Sequence, residues 1–562
     1  MSLGEPSYRW RFWLIITLLL LGTLGLIARI IDLNVLNRHF LRGQGDARTL
    51  RVMAIPAYRG MITDRNGIPL AISTPVDSIW LDPQNLALDQ PHLQLLAKEL
   101  NIAPRFLQTK LAKNKNRGFI YLKRNIDPSA AASIKALNIR GVHLQHSYRR
   151  FYPEGEVTAH ILGFTNIDDQ GQEGMELAYN DWLHGVPGQK KVLKDRLGNI
   201  VEELQTIREP RPGHDLVLSL DKRIQYLAYR ELKAGVKEFH ADSGSAIVLD
   251  SQSGEVLAMA NIPTFNPNNR LQVHDGRYRN RAMTDLFEPG STIKPFSMAS
   301  ALASGKYQPH SVINTAPGWM IVEGKRITDD EHNLGVIDLT TVLQRSSNVG
   351  MSKITLSLPA VSLWNLLHAV GFGQVTSSGF PGERPGILVD RALKHPFALA
   401  TMSFGYGISV TLLQLTQAYS VLASAGIKRP ATLLHLNEIP AGQQIIKPAV
   451  AKEILIMLES VLQKGGTAPL AKVRGYRVTG KTGTAHIVGS DGYLKNRYNS
   501  IFVGIAPASA PRLVVAIILH DPQGEQYYGG YTAGPIFSRI MTGALRISDV
   551  PPDAWPTTEL AK

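Results

Sequence analysis

Hydrophobic and polar positions follow several different rhythms along the chain. Phe12 to Ala28 (FWLIITLLLLGTLGLIA) holds no charge and only two threonines as polar residues. With Ile30, Ile31 and Leu33 added, and Arg29 snorkelling to the interface, the run reaches the roughly 20 residues a membrane span needs. A cleaved signal peptide is the competing reading. Cleavage after Ala28 would leave Leu26 where a small residue is preferred, which favours a retained anchor. After the anchor, short extended runs alternate with turn signals. In RGMITDRNGIPLAIS (Arg59 to Ser73), Asn66-Gly67 predicts a tight turn between β segments. The Pro- and Gly-rich tract REPRPGHD (Arg208 to Asp215) predicts a boundary.

Beyond that tract the pattern is more regular. Asp221 is placed to cap a helix whose apolar residues Ile224, Ala228, Leu232 and Val236 recur every four positions. Strand-like runs follow at Ser245 to Asp250 and Glu255 to Ile262, and again at Ile501 to Ala508 and Arg512 to Asp521. Tyr476 to Val488 alternates like a strand entering a hairpin at Ser490-Asp491-Gly492, and Gly534 to Ile547 is amphipathic. A helix, two strands, a long helical middle, three strands and a helix predict an α+β fold, an antiparallel sheet flanked by helices. The chain thus divides into a tail (1–11), an anchor (12–33), an N-terminal module (34–214), a larger domain (215–548) and a polar tail (549–562). No internal repeat or low-complexity segment interrupts it.

Composition narrows the function. The 562 residues are 44% hydrophobic and 19% charged, which is globular. The formal charge of +14 favours anionic surfaces such as phospholipid or an acidic polymer. The basic residues form no long run, so nucleic acid is not an expected partner. Their densest cluster, Lys110 to Arg124, reads as a solvated helix and loop face. There is no cysteine, which excludes disulfides, thiolate metal sites and cysteine nucleophiles.

One window carries two meanings. Gly475 to Thr482 (GYRVTGKT) matches the P-loop pattern G-x-x-x-x-G-K-[ST] letter for letter. A P-loop needs a buried strand before it and a helix after it, so that backbone N–H groups cradle phosphate. KGGTAPLAKVR precedes this window and the glycine-rich GTAHIVGSDGYLKNRY follows it. Neither fits, so no nucleotide is expected. Lys481-Thr482-Gly483 also matches the K-T-G element of penicillin-recognising serine enzymes. Two further elements precede it in the order such enzymes require. Ser291-Thr292-Ile293-Lys294 is S-x-x-K, on the first turn of a predicted helix that tolerates Pro295. Residues i and i+3 share a helix face, so the Lys294 amine can approach the Ser291 hydroxyl. Ser346-Ser347-Asn348 is S-x-N, within the helical stretch DLTTVLQRSSNVGMSKITL. Each triplet alone is weak, since capped helices and exposed lysines produce such strings by chance. Their joint order is the signal.

With these motifs in place the chain resembles the class B penicillin-binding proteins, and among them the septal, division-specific peptidoglycan transpeptidases. The likeness extends from the anchor to about Ile547, through RGMITDRNG, SYRRFYPEGEVTAHILGFTN, EVLAMANIPTFNPNN, FEPGSTIKPF, SFGYG and YYGGYTAGPIF. It departs from many relatives at His486, near where they carry lysine. The resemblance implies a penicillin-binding-protein/serine β-lactamase-like transpeptidase domain behind a single transmembrane helix and an extended, β-rich N-terminal pedestal module. It implies Ser291 as nucleophile, Lys294 as base, Ser346 as proton relay, Asn348 on the donor amide, and Lys481, Thr482, Gly483 and Thr484 at the substrate carboxylate. Backbone N–H groups of Ser291 and Thr484 would hold the oxyanion. D-alanyl-D-alanine transpeptidation would follow without cofactor or metal, with β-lactams acylating the same serine. Expected partners are peptidoglycan stem peptides, a membrane glycosyltransferase and other division proteins.

Arginines flank the anchor on both sides (Arg9 and Arg11; Arg29, Arg38, Arg42 and Arg48), so charge does not set its orientation. The chemistry does, implying an inner-membrane protein with its N-terminus cytoplasmic and its catalytic domain periplasmic. A serine β-lactamase or carboxypeptidase shares the three motifs, but needs neither anchor nor module. A scaffold or β-lactam receptor would not need intact motifs, and no second catalytic constellation in the module suggests a polymerase.

Overall fold

The computed structural model describes residues 9–84, 86, 88–195, 200–269, 276–330, 333–489 and 492–554. The expected hairpin turn at Ser490 and Asp491 lies outside these residues, as do most of the C-terminal tail and residues 1–8. Two compact units are present. One comprises Met1–Tyr58, Pro75–Arg149 and Gly185–Gly213, and the other Arg59–Thr74, Arg150–His184 and His214–Lys562.

The first unit begins with the helix Arg9–Ile31, whose large apolar side chains are exposed. A wider turn, Asp32–Leu36, continues it, and the stretch Arg9–Leu36 is long and apolar enough to cross a membrane. Arg29 pairs with Asp32 one turn on, at 2.7 Å. The strands Leu50–Ile55, Gly188–Lys194 and Ile200–Arg208 form an antiparallel sheet. A separate core joins Leu96, Leu107 and Ile134, from three helices, to Ile79, Leu81 and Ile120. Those helices, Gln90–Glu99, Pro104–Lys113 and Pro128–Ala136, each have a proline in the first turn, where a missing N–H costs nothing.

The second unit is built on five antiparallel strands. In chain order its main elements are α1 (Lys222–Glu238), β1 (Ser243–Asp250), β2 (Val256–Ile262), α2 (Lys294–Ala303), α3 (Asn348–Leu356), α4 (Leu412–Ala423), α5 (Pro448–Glu459), β3 (Thr479–Gly489), β4 (Gly492–Ala506), β5 (Leu513–His520) and α6 (Ala533–Ile547). The strand order is β2-β1-β5-β4-β3. Asp221 caps α1 as the sequence predicts, accepting from the Arg223 N–H at 2.9 Å, and Ile224, Ala228 and Leu232 are buried. α1 and α6 pack on each other and on the sheet, and α4 packs on β1 and β5 from among the middle helices. Coverage on both faces explains why β1, β2 and β5 read as continuous apolar runs rather than alternating ones. Every residue of α4 is buried, which makes it the central helix of the core.

Arg59 of RGMITDRNG and Arg150 of SYRRFYPEG meet in this unit. Arg59 Nε donates to Glu176 Oε2 and Arg150 Nε to Glu176 Oε1, both at 2.6 Å. Arg59 also donates to the Glu176 carbonyl at 2.8 Å, and Arg150 to the Gly60 carbonyl at 2.7 Å. All three side chains are buried. In the turn between them, Asp64 Oδ1 accepts from the N–H groups of Asn66 and Ile68 at 2.8 Å, and Gly67 takes φ +78°.

One carboxylate therefore compensates two buried guanidinium groups. Glu176→Gln keeps the shape and removes the charge, and should destabilise this unit by ~3–5 kcal/mol. Chemical unfolding of the detergent-solubilised protein, compared with wild type, measures the loss.

Candidate active site

Ser291 lies on a 3-10 turn, Gly290–Ile293, that leads directly into α2 with Pro295 in the first helical turn. The turn is fixed from several sides. Gly290 takes φ +53° and donates to the Gly405 carbonyl at 3.2 Å. A Cβ on Gly405 would fall 2.0 Å from the Gly290 oxygen, so the SFGYG string needs its glycine there. Tyr419 of α4 donates to the Thr292 carbonyl at 2.8 Å. Against the turn lies β3, where a Cβ on Gly483 would meet the Pro289 oxygen and Thr292 Cγ2 at 2.9 Å each. Glycine in K-T-G lets the strand approach the serine turn.

β3 carries Lys481, Thr482, Gly483 and Thr484 at the end of the sheet, with Lys481 opposite Val503 and Thr482 opposite Phe502 of β4. A strand at this position is not the loop-into-helix of a P-loop. The S-x-N stretch is not continuous helix as expected. One helix ends at Gln344, α3 begins at Asn348, and between them Ser346 adopts φ +58°. Left-handed backbone is uncommon for a residue with a side chain. Here it brings both the carbonyl and the hydroxyl of Ser346 to the Lys294 amine.

The motifs converge on that hydroxyl. Lys294 Nζ donates to Ser346 Oγ at 3.0 Å, to Asn348 Oδ1 at 2.8 Å and to the Ser346 carbonyl. Lys481 Nζ donates to Ser346 Oγ at 2.9 Å and approaches Thr482 Oγ1 at 3.3 Å. Both lysines are fully buried, while Ser291 is half-buried. The direct Ser291–Lys294 contact anticipated from the i, i+3 spacing is not made. The Ser291 hydroxyl has no hydrogen bond among the described residues, because the Lys294 amine is drawn to the S-x-N residues. Thr484 Oγ1 accepts from the Gly529 N–H at 3.2 Å, and Thr482 Oγ1 shares a 2.9 Å hydrogen bond with Thr467.

Comparison with known proteins gives this arrangement its context. Residues 244–542 match the penicillin binding protein transpeptidase domain, and residues 54–218 the penicillin-binding protein dimerisation domain. The chain belongs to the penicillin-binding protein transpeptidases. It is 44% identical over 551 residues to a protein of Pseudomonas aeruginosa named probable peptidoglycan D,D-transpeptidase PbpC, covering 98% of this chain and 97% of that one. Identity is 42% over 554 residues to Peptidoglycan D,D-transpeptidase FtsI of Escherichia coli K12, covering 98% and 93%. Among solved structures, a peptidoglycan synthetase from Bifidobacterium adolescentis matches with TM-score 0.70 at 27% identity, over 90% of this chain and 98% of that one. Penicillin-binding protein 3 from Mycobacterium tuberculosis complexed with aztreonam also matches with TM-score 0.70, at 26% identity over 89% and 98%.

In this penicillin-binding protein, burial sets the electrostatics. It lowers Lys294 to about 8, with Asp330 and Asp329 pulling the other way. Lys481 is pushed well below the ordinary lysine range, by burial first and by the Lys294 charge second. With both lone pairs of Ser346 Oγ taken by amines, its own proton is left to be donated elsewhere.

Sequence reasoning missed Asp329. Its Oδ1 accepts from the N–H groups of Asn348 and Val349 at 2.6 and 2.9 Å, and its Oδ2 from Ser347 Oγ at 2.8 Å. A carboxylate on the first N–H groups of α3 is favoured by the helix dipole, and this one fixes where Asn348 starts. Gly529 is foreshadowed only as part of the YYGGYTAG string, and Thr467 by nothing.

Two outcomes follow from this geometry. Asp329→Ala should slow acylation by a penicillin about 10- to 100-fold, with Asp329→Asn recovering part of the rate, because hydrogen bonds to a buried charge contribute ~1.5–3 kcal/mol each. Stopped-flow acylation of the three proteins reads the effect. Lys294 is cationic below about pH 8 and accepts a proton only when neutral. The acylation rate constant should therefore fall about tenfold per pH unit below that value and level off above it, as a pH profile of the wild type would show.

Proposed function

We propose that this protein is a septal peptidoglycan D,D-transpeptidase that cross-links stem peptides through an acyl-enzyme on Ser291. The Ser346 hydroxyl, bridged between the buried amines of Lys294 and Lys481, carries this reading, because it supplies both a base and a route for the proton. Lys294, as the neutral amine, turns from Asn348 to take the Ser291 proton. Hydrogen bonds of a catalytic base often tighten only with substrate present. Ser291 Oγ then forms an ester with the penultimate D-alanine carbonyl, whose oxyanion lies between the backbone N–H groups of Ser291 and Thr484. The C–N bond breaks, and the proton passes through Ser346 to the departing D-alanine. An amine of a second stem peptide next displaces Ser291, forming the cross-link and returning a proton to Oγ. Lys481, Thr482 and Thr484 hold the terminal carboxylate, Gly483 lets β3 close on the turn, and Asn348 holds the donor amide. A β-lactam acylates the same oxygen and leaves slowly.

The polymer lies outside the cytoplasmic membrane, so the anchor at 12–33 runs with its N-terminus cytoplasmic and the transpeptidase domain (215–548) in the periplasm. A membrane glycosyltransferase and other division proteins are the partners, met through the anchor and the module at 34–214. Ser291→Ala should abolish covalent labelling by a fluorescent penicillin. In the wild type, intact mass should rise by one penicillin, with the adduct on the peptide containing Ser291. Undiminished labelling of the variant would overturn the assignment.

A further inference from the structure

Thr467 stands beside the threonines at the substrate carboxylate, and the mechanism assigns it no task. It lies half-buried in the loop between α5 and β3, and its hydroxyl shares a 2.9 Å hydrogen bond with Thr482 Oγ1. The loop is held from two sides. Arg345 Nη1 donates to the Gly465 carbonyl at 3.0 Å and Gln344 Nε2 to the Lys464 carbonyl at 3.4 Å, which ties the loop to the residues leading into Ser346. On the other side, a Cβ on Gly530 would fall 2.0 Å from the Thr467 backbone oxygen. The YYGGYTAG string therefore presses against Thr467 through Gly530, while the neighbouring Gly529 N–H bonds Thr484. Backbone contacts fix Thr467 in place, and its side chain is turned to β3.

The hydrogen-bond inventory of the two substrate threonines differs. A hydroxyl has one proton to give and two lone pairs to share. Thr484 Oγ1 accepts from the Gly529 N–H, a group that can only donate, so the Thr484 proton stays available to an incoming anion. Thr482 Oγ1 has two side-chain neighbours instead. Lys481 Nζ lies 3.3 Å away and donates, whereas Thr467 Oγ1, at 2.9 Å, can either donate or accept. If Thr467 accepts, the Thr482 proton is lost to the substrate. If Thr467 donates, it and Lys481 fill both lone pairs, and the Thr482 proton is left for the carboxylate. The anion selects the second state. A hydrogen bond to an ionised acceptor is about twice as strong as a neutral one, and hydroxyls polarised in one sense strengthen each other.

This inference rests on the transpeptidase reading above, in which Thr482 meets the terminal carboxylate. We propose that Thr467 is a positioning residue for that carboxylate. Its hydroxyl donates to Thr482 Oγ1 and so commits the Thr482 proton to the substrate. The Gly529 N–H does the same for Thr484 from the backbone. Thr467 therefore acts on recognition of the anion and leaves the chemistry at Ser291 unchanged.

A matched pair of penicillins tests this on the full-length, detergent-solubilised protein, one with its carboxylate and one with a methyl group in that place. Stopped-flow acylation over a range of concentrations separates the dissociation constant of the first complex from the limiting acylation rate. Thr467→Val should raise the dissociation constant of the carboxylate form about tenfold and leave the limiting rate unchanged. Thr467→Ser, which keeps the hydroxyl, should restore binding. The methyl form should react alike with wild type and Thr467→Val. In a Thr482→Val background, removing the Thr467 hydroxyl should have no further effect. An equal loss with the methyl form would mean a merely structural role and overturn the proposal. A lowered limiting rate with unchanged binding would overturn it too, by placing Thr467 in the proton transfer. Should Thr467→Val fail to fold, Thr467→Ala decides by the same comparison of the two penicillins. Unaltered binding and acylation in the variants would sink this proposal alone. No acylation of the wild type by the carboxylate form would sink the nucleophile assignment with it.

Discussion

Among the described residues two lysine side chains, Lys294 and Lys481, are fully buried, and neither has a carboxylate in ion-pair contact. Placing a cation in such a site is costly unless it sheds its proton or gains compensating hydrogen bonds. Both remedies are present. Lys294 collects a backbone carbonyl, a hydroxyl and an amide oxygen, while its pKa is lowered toward neutrality. Two of those three acceptors come from Ser346, which reaches the amine only because its backbone is left-handed. The break between two helices, the Asp329 carboxylate that starts α3, and the close approach of β3 through Gly483 all serve this arrangement. The same burial that burdens the fold lowers the pKa of both amines.

Much of the larger unit could be read from the chain. The strands were legible because helices cover the sheet on both faces, leaving unbroken apolar runs in β1, β2 and β5. α1 was legible because its four-residue period and its cap at Asp221 agree. The three triplets were legible as an ordered set: Lys294 and Lys481 both donate to Ser346 Oγ and Lys294 also to Asn348 Oδ1, while the Ser291 hydroxyl stands apart from the Lys294 amine. The rest was hidden for identifiable reasons. Helical periodicity reads straight through Ser346, since a single residue with positive φ leaves no mark on amphipathic spacing. Asp329 lies in an acidic pair that resembles any solvated loop. Arg59 and Glu176 are 117 residues apart, and nothing local signals that they meet.

The P-loop match shows how identical letters can serve different physics. In a phosphate-binding loop, glycine frees backbone N–H groups to point at an anion. Here a Cβ on Gly480 would lie 2.6 Å from Phe502 Cζ, so that glycine admits a core aromatic ring. The lysine, instead of reaching into solvent for a phosphate, turns inward to a serine hydroxyl.

The place of β3 in its sheet has a further consequence. With β4 on one side only, it is the edge of the sheet, and an edge strand is a template onto which an extended peptide can add. Such main-chain pairing is indifferent to side chains, so stereochemical selection falls to the hydroxyls and amines that surround the reacting carbonyl. Small amides that reproduce only the extended backbone and its terminal carboxylate can therefore enter the cleft while sharing nothing else with the polymer.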